Sequence, residues 1–168
     1  MPKHFIAGPS IVPIPSHSKK LTKNPTDIKN GAGPATALFI NPNVRKPSAK
    51  PDEVLVHVKA FGLNRADTLQ RQGYYPGPPH ASKILGLEFA GIVEEVGDGE
   101  GDGKHKFWKG EEVFGLVYGG GYAEYVVVSK KMLLRKPKEL GWEVCAGICE
   151  VCISPWSNPL PPLSQIHI

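Results

Sequence analysis

The residues able to do chemistry concentrate between Gly62 and Gly97, in the run GLNRADTLQRQGYYPGPPHASKILGLEFAGIVEEVG. Asn64 carries an amide that both donates and accepts hydrogen bonds. Asp67 and Glu88 add two carboxylates, and Glu88 lies inside an apolar run where a charge needs a partner. Tyr74 and Tyr75 supply two rings that can stack on a flat ligand and two hydroxyls that can donate to it. Three other groups invite a chemical reading. Cys145, Cys149 and Cys152 fall within eight residues, but a zinc site needs a fourth ligand and only distant histidines remain, so they read as buried thiols. Gly119, Gly120 and Gly121 resemble a phosphate cradle, yet YAEYVVV follows them as a strand, where a cradle needs a helix start. They read as a turn between strands. The acidic loop GDGEGDGK at 97–104 lacks the spacing of a calcium loop.

The elements that must position these groups follow from periodicity. In EVLVHVKA, at 53–60, Val54, Val56 and Val58 share one face of a strand, with Leu55, His57 and Lys59 opposite. Asn64 is then a good N-cap for a helix over Arg65–Gln72, with Asp67 at its third position and Gly73 to end it. YYPGPP, at 74–79, must be an extended turn. Glu88 should sit in a strand that runs to Val96. Further strands are expected at 37–40, 113–117, 122–128 and 132–134, and a helix over 138–150. The fold class is mainly β with short helices.

Composition sets the limits. With 168 residues, Gly 19 and Pro 17, the chain suits one turn-rich β domain. No apolar run spans a bilayer, so no membrane partner is expected. Residues 1–50 hold eight Lys/Arg against one acid, Asp27, while residues 51–100 hold four basic and eight acidic residues. Residues 1–30 therefore form a basic, proline-broken, irregular arm. It lacks the aromatics and dense cationic cluster of a nucleic-acid binder and reads as a solvated tail. The clustered, odd cysteine count points to a reducing, cytoplasmic setting. Residues 151–168 carry no Asp, Glu, Lys or Arg and four prolines, and are expected to be an irregular tail; PLPPL within it is a weak polyproline motif.

The run 62–97, with DEVLVHVKAFGLNRAD before it and KGEEVFGLVYGGGYAEYVVV after it, closely resembles the zinc-free quinone oxidoreductase branch (zeta-crystallin-like) of the medium-chain dehydrogenase/reductases. The resemblance covers 31–150. It implies a GroES-like, partly open β-barrel as the catalytic domain, followed in the family by a Rossmann domain that binds NADPH and forms homodimers. It implies hydride transfer to a quinone or enone without zinc. Asn64 and Tyr75 match the family's catalytic positions, Asn64 also lies beside the nicotinamide, and Tyr74 and Leu87 match the substrate pocket. Zinc-dependent relatives carry Cys and His where this chain has Asn64 and Leu87, so no metal is expected. Asp67 and Glu88 are expected to be structural, as a cap and a buried hydrogen-bonding group. No dinucleotide fingerprint follows Glu150, and Pro25 falls where the family has a strand. These departures lead to the expectation of a truncated product, inactive alone, with a non-enzymatic GroES-like binding module as the alternative.

Overall fold

The computed structural model describes residues 25–99 and 105–152, and the backbone of Val12–Pro13. The rest of the basic arm over 1–24, the loop at 100–104 and the tail from 153 onward lie outside the described residues.

The described residues form eight strands and two α-helices: β1 (Val12–Pro13), β2 (Thr26–Ile28), β3 (Leu38–Ile40), β4 (Glu53–Phe61), α1 (Arg65–Gln72), β5 (Glu88–Val96), β6 (Glu112–Leu116), β7 (Tyr125–Ser129), β8 (Leu133–Arg135) and α2 (Trp142–Ala146). Six strands make one antiparallel sheet in the order β1-β4-β5-β6-β8, with β7 also on β4. Both β7 and β1 use the edge of β4 that β5 leaves open, β7 along Glu53–His57 and β1 at Ala60 and Phe61. The sheet curls into a half-open barrel, the GroES-like arrangement expected. Strands β2 and β3 form a separate antiparallel pair.

β4 is the centre of this sheet because its valines have one dry place to go. Val54, Val56 and Val58 are fully buried and pack with Phe89 and Val93 of β5, Val113 of β6, Val126 and Val128 of β7, and Leu133 of β8. Each such side chain contributes about 1.5–3 kcal/mol on burial. Leu55 is buried too, at 1 % exposure. The β4–β7 register runs unbroken through Glu53–His57, and the shift against β5 leaves the extra residue, Glu94, on β5, so Leu55 keeps the face opposite the valines and is buried on that side. His57 remains half-buried, stacked on Tyr125 at 4.9 Å between ring centres.

Pro25 does not interrupt the strand it precedes. β2 begins one residue later, and the Pro25 carbonyl accepts from Asn41 N–H at 3.0 Å, a role that needs no donor from proline. Residues 26–28 are thus strand, where the arm was expected to continue irregularly.

α1 spans the expected residues. Its end is a Schellman motif: Gly73 N–H donates to Gln70 and Tyr74 N–H to Leu69, both at 2.9 Å. Gly73 sits at φ 85, so Gly73→Ala should cost about 1–2 kcal/mol. Urea denaturation of the variant checks this. The helix expected over 138–150 is shorter, since α2 begins only at Trp142 and is interrupted at Gly147 before a further helical turn over 149–152.

Candidate active site

Four side chains meet where β4, α1, β5 and the 117–124 turn converge. The turn after β4 delivers Asn64, whose own backbone caps α1: its N–H donates to Asp67 Oδ2 at 2.7 Å. The Asn64 side chain reaches instead to β5, where Nδ2 donates to Glu88 Oε1 at 2.8 Å. Glu88 is fully buried, and its other oxygen, Oε2, accepts the Glu150 backbone N–H at 2.9 Å. Asp67, also buried, accepts the Tyr122 hydroxyl at 2.6 Å. Tyr122 leans on Phe61 with ring centres 4.6 Å apart.

The chain from 117 to 124 is shaped to place Tyr122. Gly120, Gly121 and Tyr122 donate their N–H groups to the carbonyls of Ile84, Gly86 and Leu85 at 2.8, 3.0 and 2.9 Å. Those donors are spent on the segment leading into β5, so the triple glycine is a turn and offers them to no phosphate.

Electrostatics here is set by burial without a counter-charge. Burial raises the carboxyls of Asp67 and Glu88 above the ordinary range, against the hydrogen bonds that hold the ionised forms. Burial and the bond to Asp67 push the Tyr122 phenol upward as well, so it stays a donor. Glu88 therefore fixes the Asn64 amide plane. Once its oxygen takes one amide hydrogen, Asn64 keeps a carbonyl oxygen and one hydrogen for another partner.

The other expected site residues are placed differently. Leu87 is buried at 8 % exposure next to Glu88, with its carbonyl accepting from Val117 N–H at 2.8 Å. Tyr74 and Tyr75 stand out after the α1 cap, 78 % and 50 % exposed. Among the described residues no hydrogen bond or ring contact joins either tyrosine to Asn64. No three His, Cys, Asp or Glu side chains converge as metal ligands among them either. The sequence reading missed Tyr122. The signal for it was weak: a tyrosine directly after a glycine turn, 55 residues from the carboxylate it serves. It also missed Gly62. A Cβ there would lie 2.2 Å from Glu88 Oε1 and 2.9 Å from the Ala146 carbonyl. Among the described residues no helix is long and apolar enough to cross a membrane.

Comparison with known proteins agrees with this geometry. Residues 50–138 match the alcohol dehydrogenase GroES-like domain. The quinone oxidoreductase of Lama guanicoe is 33% identical over 117 residues, covering 69% of this chain and 34% of its own length. The chloroplastic NADPH-dependent alkenal/one oxidoreductase of Arabidopsis thaliana is 32% identical over 126 residues, covering 69% of this chain and 32% of its own length. A quinone oxidoreductase crystal structure from Pseudomonas syringae superposes with a TM-score of 0.65 at 28% identity, covering 80% of this chain and 39% of that one. The chain thus spans about a third of the length of these curated relatives. The domain match spans β4 to β8, and the chain belongs to the alcohol dehydrogenase GroES-like domain family of the medium-chain dehydrogenase/reductase superfamily, with quinone oxidoreductases among the proteins it resembles.

Proposed function

We propose that residues 31–150 are the catalytic domain of an NADPH-dependent reductase that passes hydride to a quinone or an activated alkene without zinc. The observation that carries this reading is the Asn64 amide held by buried Glu88 at 2.8 Å. A thiolate and an imidazole would be needed at positions 64 and 87 to bind zinc as zinc-dependent relatives do. Here one position is an amide already committed to a carboxylate, and the other is a buried leucine.

The described residues fit the nicotinamide end of such a cofactor and not its pyrophosphate. Asn64 offers an oriented carbonyl and amide hydrogen to a carboxamide or a ribose hydroxyl. In the glycine turn the N–H groups of Gly120, Gly121 and Tyr122 are already bonded within the chain. When bound, the cofactor supplies the hydride; the protein orients and polarises. Tyr75, half exposed on the loop after α1, would stack on a flat acceptor and donate to its carbonyl oxygen. Tyr74 and Leu87 would border the same acceptor, Leu87 excluding water from it.

A second reading is a GroES-like module that binds a partner and turns nothing over. All three residues of β3 favour it: Leu38, Phe39 and Ile40 are 37 %, 37 % and 61 % exposed. Calorimetric titration with NADPH, paired with quinone-dependent NADPH oxidation, separates the two. If the chain is a reductase, NADPH binds and turnover falls about tenfold to a hundredfold in Asn64→Ala and in Tyr75→Phe by less. Neither binding nor turnover would leave the partner-binding module as the function.

A further inference from the structure

We propose that Cys149 and Cys152 form a redox-active dithiol that exchanges with small-molecule disulfides and closes into a disulfide within one helical turn. The dithiol takes no part in the hydride transfer itself. The three cysteines differ sharply in setting. Cys145 and Cys149 are buried at 0 % and 3 % exposure in the cluster with Ala60, Ala90 and Phe114, whereas Cys152 is exposed. Residues 149–152 are helical, and Cys152 N–H donates to the Ile148 carbonyl at 3.0 Å. Cys149 and Cys152 are thus three residues apart on one turn, in the pattern Cys-Glu-Val-Cys.

That spacing sets both the ease and the consequence of oxidation. Side chains three apart on a helix have Cβ atoms about 5–6 Å apart. A disulfide needs about 3.5–4.5 Å. The bridge can form only if the turn tightens, which makes it strained and readily reduced. The exposed Cys152 thiolate attacks one sulfur of a small disulfide and releases one thiolate, which takes up a proton. Cys149 then loses its proton and attacks Cys152 sulfur, expelling the second thiolate. The protein loses two electrons and two protons, and one disulfide becomes two thiols.

Glu150 lies inside the turn that must tighten, and its N–H is the group that holds Glu88 Oε2 at 2.9 Å. Oxidation therefore pulls on the carboxylate that fixes Asn64. Reduction restores it.

The test exposes the full chain, folded, to a series of reduced and oxidised glutathione ratios. Free thiols are then blocked, and the chain is cleaved after glutamate. Cleavage after Glu150 separates Cys149 from Cys152, so an internal bridge leaves two fragments joined until reduced. The expected result is joined fragments in the wild type and in Cys145→Ser. In Cys149→Ser the reaction stops at a glutathione adduct on Cys152. In Cys152→Ser no adduct forms on Cys149. Hydrogen exchange at the Glu150 amide speeds up in the oxidised chain and returns on reduction. A stable adduct on wild-type Cys152, a bridge to Cys145, a bridge between two chains, or unchanged exchange at Glu150 overturns the proposal.

Discussion

Gly62→Ala is expected to destabilise the fold by about 3–4 kcal/mol, combining overpacking with displaced hydrogen bonds. The backbone at 62 passes so close to β5 that an added methyl carbon would lie 2.2 Å from Glu88 Oε1, 2.8 Å from its Cδ and 2.9 Å from the Ala146 carbonyl. A flexible side chain would swing away at little cost. Glu88 cannot, because it is fully buried and tied at both oxygens, to Asn64 and to the Glu150 backbone. Ala146 belongs to α2, which packs on β4 and β5 through Ala60 and Ala90, so retreat on that side opens the second core cluster. The measurement is a double-mutant cycle by urea denaturation. In a Glu88→Ala background the clash with the carboxylate disappears, and the cost of Gly62→Ala should fall by at least about 1 kcal/mol. Equal costs in both backgrounds would place the strain at Ala146 alone.

That glycine shows where the sequence stops being readable. What was legible was local. Asn64, Asp67 and Gly73 mark the start, third position and end of α1 by rules that act over a few residues, and α1 spans Arg65–Gln72 with those caps. The valines of β4 marked its buried face for the same reason. What was illegible depends on partners far along the chain. Asn64 meets Glu88 across 24 residues, Asp67 meets Tyr122 across 55, and Glu88 meets Glu150 across 62. Glu88 in an apolar run announced that it needed a partner, but periodicity cannot name one. Leu55 lies on the face opposite the core valines, as alternation predicts, but that face is covered there as well, which no pattern within β4 encodes. The cysteines were expected to be buried thiols, and Cys145 and Cys149 are, but Cys152 is exposed; the break at Gly147 sets Cys149 and Cys152 together on a turn of their own, apart from Cys145.

Glu88 itself yields the sharper contrast, because two substitutions should move stability in opposite directions. Glu88→Leu removes both acceptors and leaves the half-buried Asn64 amide and Glu150 N–H without this partner, at about 1–3 kcal/mol each. Relief of the carboxylate's desolvation offsets part of this, so a net loss of about 2–4 kcal/mol is expected. Glu88→Gln keeps the bonding. Its carbonyl can accept from Glu150 N–H, and its amide can donate to Asn64 once the Asn64 amide turns over. The sign of the pH dependence follows from the raised Glu88 carboxyl. The folded chain holds that proton more tightly than the unfolded chain. The stability it contributes is therefore complete below the ordinary glutamate pKa and is lost as pH rises through the folded value. Glu88→Gln has no such proton to lose. Relative to wild type it should gain stability steadily as pH rises from the ordinary glutamate range, then level off above the folded pKa. Asp67, raised in the same sense, remains in both proteins and largely cancels from the difference. Denaturation of the three proteins across that range decides the matter. A glutamine variant that weakens relative to wild type with rising pH would mean that the folded chain stabilises Glu88 as a carboxylate, against the direction expected from its burial. A leucine variant as stable as the glutamine one would mean that the two hydrogen bonds do not hold this corner together, and that Asn64 owes its orientation to something else.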